Sequence, residues 1–246
     1  MKRIAYVVAI WGDRKDSRGK LALHYTLEAH ANALLQTNDE CLSEILFVIN
    51  TLKVPLVQDE VSIFMNSGLF QKLSKLREIK FLVRDNLGFS YGAWEAGIKS
   101  LLGSDITHSF LIEDDYVPSY PEFLEAFLSK ASSKRAFVCQ KLEAIPNVAP
   151  KHAAVSNGLI SMKAVSVVFE TYNQIFSIFP YELGRAEHLM GTENQITFLT
   201  LFETLGFEIV DISDSYSVKF FETNTSEIHE RGNGKHESPL KPLVLT

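Results

Sequence analysis

Along the first half of the chain, short aliphatic and β-branched runs alternate with segments whose apolar positions recur every three to four residues, the pattern of an α/β layer fold. "RIAYVVAI" predicts a first strand and "LALHYTLEAHANALLQ" a helix after it. "EILFVIN" and "KFLVRD" predict the second and third strands. In "SYGAWEAGIKSLL", Tyr91, Trp94, Ile98 and Leu101 fall on one helical face, and "HSFLIED" predicts a fourth strand. "SYPEFLEAFLSKA" then predicts a helix, with Ser119 and Glu122 at capping-box spacing and a proline in the first turn. The second half is less regular. "RAFVCQK" and "NGLISMKA" read as strands separated by a long loop, and the helix "ENQITFLTLFETLG" leads into the strand "FEIVDI". The expected architecture is a single α/β domain with a parallel front half and a mixed back half. From about Glu222 the chain turns polar, as either a flexible end or a lid.

Composition narrows the function classes. The hydrophobic fraction is 46%, the charged fraction 22% and the net charge −6, the profile of an ordinary globular protein. No basic block offers a broad grip on nucleic acid. Cys41 and Cys139 form neither a disulfide framework nor a ligand cluster, which suits a reducing compartment. The basic start meets "DRKD" too soon for a secretion signal, so a buried first strand explains it better. No stretch approaches the roughly 20 apolar residues of a membrane span. The expectation is a soluble, cytoplasmic protein.

Two elements carry candidate chemistry. The fourth strand runs into Glu113, Asp114 and Asp115, where ligands of open α/β sheets bind. Three adjacent carboxylates repel, and a hard divalent cation, Mg²⁺ or Mn²⁺, is one way to offset that. A solvated acidic turn is the other. The second element is "RDNLGFSYGAWEAGI", which joins a strand to a helix through Gly88 and Gly92. Glycines there let backbone N–H groups approach an anion, and Arg84 could meet a phosphate. Tight-turn and close-packing roles explain the same glycines. The loop is neither a Walker loop nor a dinucleotide fingerprint.

In this order, the motifs resemble the GT-A fold nucleotide-sugar glycosyltransferases, family-2-like, and most of all the rhamnan-synthesis-like branch with its N-x-G-x-D-x-G-A loop. Ser90 stands where that branch often has Asp. The likeness covers roughly residues 3–215, through "NGLISMKAV" and "GTENQITFLTLFETLGFEI". It implies a GT-A (Rossmann-like) mixed sheet, with a nucleotide-binding half at about 1–116, an acceptor half at about 117–221, and a tail at 222–246 serving as a lid. It implies a metal, Mn²⁺ or Mg²⁺, on Asp115, with Asp114 or Glu113 touching the ribose or the metal's waters. Ala9, Trp11, Arg14 and Asn50 would frame the nucleoside, beside Arg84, Asn86, Gly88 and Gly92. A late histidine, His229 or His236, would add a metal ligand, and Arg231 and Lys235 would hold the diphosphate. The donor would be a UDP-, dTDP- or GDP-linked sugar, and the acceptor a glycan or other hydroxyl.

The acceptor needs a base. Thr192 reads as an N-cap, which puts Glu193 in a helix's first turn, where the dipole favours the ionised carboxylate. Family members usually have Glu-Asp here, with the second acid as base; this chain has Glu193-Asn194. Glu193 itself acts, or the register differs, or activity is impaired. An inactive nucleotide- or glycan-binding module is therefore one alternative. A metal-dependent nucleotidyltransferase is another, half supported by Gly12, Arg14 and Lys15 after the first strand. Phe179 and Tyr181 are either a stacking surface for a sugar ring or core. No tight histidine pair suggests a zinc centre.

Overall fold

The computed structural model describes residues 2–15, 19–145, 149–153, 156–178, 186–222 and 227–243. The front half alternates strand and helix: β1 (Ile4–Trp11), α1 (Leu23–Leu35), β2 (Leu42–Thr51), α2 (Val54–Met65), α3 (Gly68–Leu73), β3 (Glu78–Asp85), α4 (Phe89–Leu101) and β4 (His108–Glu113). The remainder comprises β5 (Tyr116–Pro118), α5 (Phe123–Leu128), β6 (Arg135–Cys139), β7 (Leu142–Ile145), β8 (Ala149–Ala153), β9 (Gly158–Ser161), α6 (Met162–Tyr172), α7 (Ala186–Thr204), β10 (Glu208–Asp211), β11 (Val218–Glu222), β12 (Glu227–Arg231) and β13 (Leu240–Pro242). Seven strands make one sheet in the order β10-β6-β9-β4-β1-β2-β3. In it β9 runs antiparallel to β4 and β6, and the other pairings are parallel. The expected mixed α/β sheet flanked by helices is thus the architecture the chain forms, of Rossmann-like type.

Strand periodicity explains the layers. Tyr6, Val8 and Ile10 of β1 point into a core closed by Leu23, Leu27 and Leu34 of α1, Val57 and Phe64 of α2, and Phe123 and Phe127 of α5. Val7 and Ala9 point the other way, against Trp94 and Ile98 of α4, Val165 of α6, and Phe198 and Phe202 of α7. Each large apolar side chain so buried is worth about 1.5–3 kcal/mol. An exposed ion pair such as Arg3–Asp105 adds at most about 1 kcal/mol. The two cores hold the sheet in place.

Several local expectations change. Helices α2 and α3 lie between β2 and β3, a stretch for which no particular helix is expected above. The supposed loop after β6 contains an antiparallel pair, β7 with β8. "NGLISMKA" is strand only to Ser161, whose hydroxyl accepts the Ala164 N–H and starts α6. Ser119 caps nothing: its hydroxyl donates to the Ser238 carbonyl, and Glu122 precedes α5 without a side-chain cap. The polar tail expected from 222 contains strands. β11 and β12 pair as a hairpin across that boundary, and β13 docks antiparallel on β5.

The loop before β2 buries Asp39, which is 6% exposed; its Oδ2 has no hydrogen-bond partner. Burial first, and then Glu122 and Glu125, push its carboxyl up to about 7, against the Leu124 N–H bond and Arg77. An acid raised in the folded state holds a proton that the unfolded chain releases. Its favourable contribution is complete at pH below about 4 and is lost as pH rises to about 7. Asp39→Asn should therefore stabilise the protein at pH 8, by on the order of 2 kcal/mol, with little effect at pH 4. Paired urea titrations at the two pH values measure this, and an equal effect at both would refute it.

Candidate functional site

The sheet order reverses between β1 and β4, so their carboxyl ends form the switch-point crevice where ligands of open α/β sheets bind. Ala9, 4% exposed, lies opposite Glu113 across this pair. At that point the acidic triplet divides its labour. The Asp114 carboxylate accepts the Trp11 N–H at 3.1 Å and the Arg14 guanidinium at 3.1 Å. It is 6% exposed, and burial raises it to about 6 although Arg14 pulls it down. Asp114 therefore clamps the two strand ends together, and its oxygens face inward. Its carbonyl lies 3.4 Å from Nε2 of His30, whose Nδ1 is 3.3 Å from the Tyr6 hydroxyl. Burial pulls His30 down to about 4 despite that carbonyl, so the ring is neutral near pH 7.

Asp115 behaves differently. Its Oδ1 is buried without a hydrogen-bond partner, and burial raises its carboxyl although Arg14 opposes this. The backbone around it is held from the far end of the chain, through the Leu243 N–H to the Asp115 carbonyl at 2.6 Å. Glu113 accepts the Ser90 hydroxyl at 3.0 Å, which ties the triplet to the glycine loop.

That loop is braced from below. Asn50, at the end of β2, donates to the Phe89 carbonyl at 2.7 Å and accepts Arg84 at 2.9 Å. Arg84 donates further to the Leu87 carbonyl at 3.0 Å. Arg84, expected to meet a phosphate, braces the loop through these two bonds. Gly88 sits at φ 85° and Phe89 at φ 49°, a conformation unfavourable for a bulky residue that the Asn50 bond to its carbonyl helps hold. A Cβ on Gly92 would lie 1.9 Å from the Leu87 carbonyl oxygen, so close approach of the loop to α4 requires glycine there. Asn86 is 5% exposed, and neither its Oδ1 nor its Nδ2 has a partner. Asp13, which the motifs do not single out, fastens β1 to β2 by accepting the Thr51 hydroxyl and the Leu52 N–H.

Glu193 reaches the same region through the segment 175–178. Ile178 packs at Gly88, the Phe176 ring lies 5.6 Å from Tyr91, and the Ser177 hydroxyl donates to Glu193 Oε1 at 2.7 Å. The expected helix start is corrected: α7 begins at Ala186, so Thr192 is no N-cap and Glu193 lies inside the helix. The dipole effect on its carboxylate falls away with it, being confined to the first turn. Glu95, also unremarked in the sequence, accepts the N–H groups of Ile175 and Phe176 at 2.9 Å each and pairs with Lys99 at 3.0 Å.

The late basic residues lie on β12 and on the segment after it. His236 is exposed and lines a cavity of about 380 Å³ with Tyr120, Glu122, Glu125, Tyr216 and Glu237. Glu122 bonds Asn38, just ahead of β2, so this cavity lies at the amino end of the sheet. His236 thus lies toward the opposite end of the sheet from Asp115. His229 stacks on Phe220 at 5.6 Å and pairs with Glu227 at 3.7 Å, and Arg231 lies over the Phe220 ring at 4.5 Å. Lys235 is exposed. Among the described residues no three His, Cys, Asp or Glu side chains converge as a metal-binding group. Phe179 and Tyr181 lie outside the described residues.

The described helices include none long and apolar enough to cross a membrane. No protein-family model matches the sequence, and no curated protein matches it. Among solved structures, the chain is similar to a protein of Aquifex aeolicus VF5, at 14% identity and a TM-score of 0.43 over 85% of this chain and 86% of that one. It is similar also to a 4-diphosphocytidyl-2C-methyl-D-erythritol synthase, at 10% identity and a TM-score of 0.43 over 85% of this chain and 87% of that one. At that degree of likeness, neither protein's activity is carried over to this chain.

Proposed function

We propose that the chain is a nucleotide-dependent transferase that moves a sugar from a nucleoside-diphosphate sugar to a hydroxyl acceptor, with inversion. One observation carries the reading: Asp115 holds a buried, unpartnered carboxylate oxygen at the switch point, beside Glu113 and the braced glycine loop. An all-oxygen corner of this kind fits Mg²⁺ or Mn²⁺, with phosphate oxygens and water completing the shell, because the described residues supply few ligands. Asp115 would hold the ion. When bound, it would neutralise charge developing on the departing diphosphate.

The chain's own groups do the rest. The Asp114–Arg14–Trp11 clamp keeps the corner rigid. The unpartnered Asn86 amide offers both a donor and an acceptor to the nucleoside. Glu193 takes the proton of the acceptor hydroxyl as that oxygen attacks the anomeric carbon. Glu193→Gln keeps the acceptor for Ser177 but removes the base, and should lower kcat by about 10²-fold or more with donor KM little changed. Steady-state kinetics decide this, and unaltered turnover would remove Glu193 from the reaction.

The test of the function is incubation with UDP-, dTDP- and GDP-linked sugars and Mn²⁺, followed by measurement of the released product. Metal-dependent nucleoside diphosphate supports glycosyl transfer, and failure of every donor to bind or turn over refutes it. A second reading, nucleotidyl transfer, is favoured by the position of Gly12, Arg14 and Lys15, which leave β1 directly beside the acids. Release of pyrophosphate from a nucleoside triphosphate would select it.

A further inference from the structure

Asn194 stands where an acid would be expected to serve as the base, and its surroundings explain the amide. It is 0% exposed on α7. Its Oδ1 accepts the Ser177 N–H at 2.8 Å, and its Nδ2 donates to the Ser177 carbonyl at 3.0 Å. Accepting and donating at once in a dry site suits an amide, since an ionised carboxylate only accepts. Glu95 holds the two preceding N–H groups from the other side. Ser177 is thus fixed at its backbone by Asn194, and its hydroxyl then points at Glu193 Oε1 at 2.7 Å.

We infer that Asn194 and Ser177 form a positioning clamp that orients Glu193, so that the proton-accepting carboxylate of this chain sits one residue earlier than the Glu-Asp pattern implies and the amide is a working part. The inference rests on the proposed transfer reaction. Asn194 and Ser177 touch no reacting atom; they turn Oε2 of Glu193 toward the acceptor by occupying Oε1. A charge-assisted hydrogen bond outweighs an ordinary rotamer preference, so it governs which rotamer Glu193 holds.

Three variants test it: Asn194→Asp, Ser177→Ala and Ser177→Thr. If the amide were a lesion, N194D would raise turnover. The clamp predicts the reverse, a loss of at least about tenfold in kcat. It also predicts a stability signature that needs no substrate. Protonated, the introduced carboxyl can still donate to the Ser177 carbonyl; ionised, it cannot, and its charge is buried. The titratable groups around it among the described residues are Glu193 on α7 and the Glu95–Lys99 pair of α4, and both glutamates disfavour a further charge. The gap in Tm between wild type and N194D should be small near pH 4 and widen toward pH 7. A gap independent of pH, or an N194D enzyme as active as wild type, overturns the clamp. S177A should lower kcat about tenfold or more at unchanged donor KM, and S177T, which keeps the hydroxyl, should recover most of it. Equal loss in S177A and S177T, or none in S177A, overturns the orienting role. Should the wild type turn over no donor at all, the proposed function falls, while the pH-dependent stability of N194D still judges the clamp.

Discussion

Asp115→Ala is expected to abolish metal-dependent release of nucleoside diphosphate, by on the order of 10³-fold, without unfolding the protein. The stability half of this prediction follows from the unpartnered Oδ1. A buried polar atom without a partner costs about 1–3 kcal/mol, so its removal should leave the melting temperature unchanged or higher. Asp114→Ala should behave in the opposite way. It strips the acceptor from the Trp11 N–H and the Arg14 guanidinium and should destabilise by about 2 kcal/mol, less than a fully buried ion pair because Arg14 is 36% exposed. Activity assays with and without Mn²⁺, alongside thermal melts of both variants, separate the two roles. If D115A keeps its activity and its metal response, the acidic corner is a structural turn and the transfer reading loses its foundation. If D114A is as stable as wild type, the clamp across the switch point is wrong.

Gly92→Ala is expected to be among the most disruptive single methyl additions in the molecule. The new Cβ would stand 1.9 Å from the Leu87 carbonyl oxygen and 2.8 Å from the Arg84 guanidinium. The obstacle is backbone, which cannot rotate away, so either the loop or α4 must shift. Overpacking commonly costs about 1–3 kcal/mol, and a collision with backbone belongs at the upper end. In a chain of this size, that is a fall in Tm of roughly 6–12 °C. Displacing Leu87 also breaks its bond from Arg84 and thereby loosens Asn50 and the Ser90–Glu113 contact. Nucleotide binding should weaken along with stability. Gly103→Ala is the control: its φ is 79°, yet nothing lies within 4 Å of the added Cβ. It should cost only the modest penalty of a left-handed alanine, about 1 kcal/mol. Equal losses in the two variants would mean that the glycine at 92 serves conformation and not close approach.

Periodicity in the sequence was enough to place β1 to β4, the helix α4 with Trp94, Ile98 and Leu101 buried, and the acids at the end of β4. These are local properties: alternation and 3.6-residue spacing report which side of an element meets a core, whatever that core contains. The glycine loop was legible for the same reason, since Gly88 and Gly92 stand between a strand and a helix. Capping signals read less well. Ser119 has a better partner in Ser238, far along the chain, and α7 runs back through Thr192 to Ala186 because nothing in that stretch obliges a helix to begin.

The sequence by itself determined that an α/β sheet would end in three carboxylates beside a glycine turn. Only the tertiary structure decided what each group does there. Asp114 turned inward because Trp11 and Arg14, about a hundred residues earlier, arrive at its oxygens, while Asp115 was left with an oxygen unclaimed. Arg84 became a brace, Asn194 a clamp on Ser177, and His236 was carried to the opposite end of the sheet by the climb of β13 along β5. Hydrogen bonds and ion pairs act over a few ångströms of space, and residues that meet across such distances leave no spacing along the chain from which the meeting could be read.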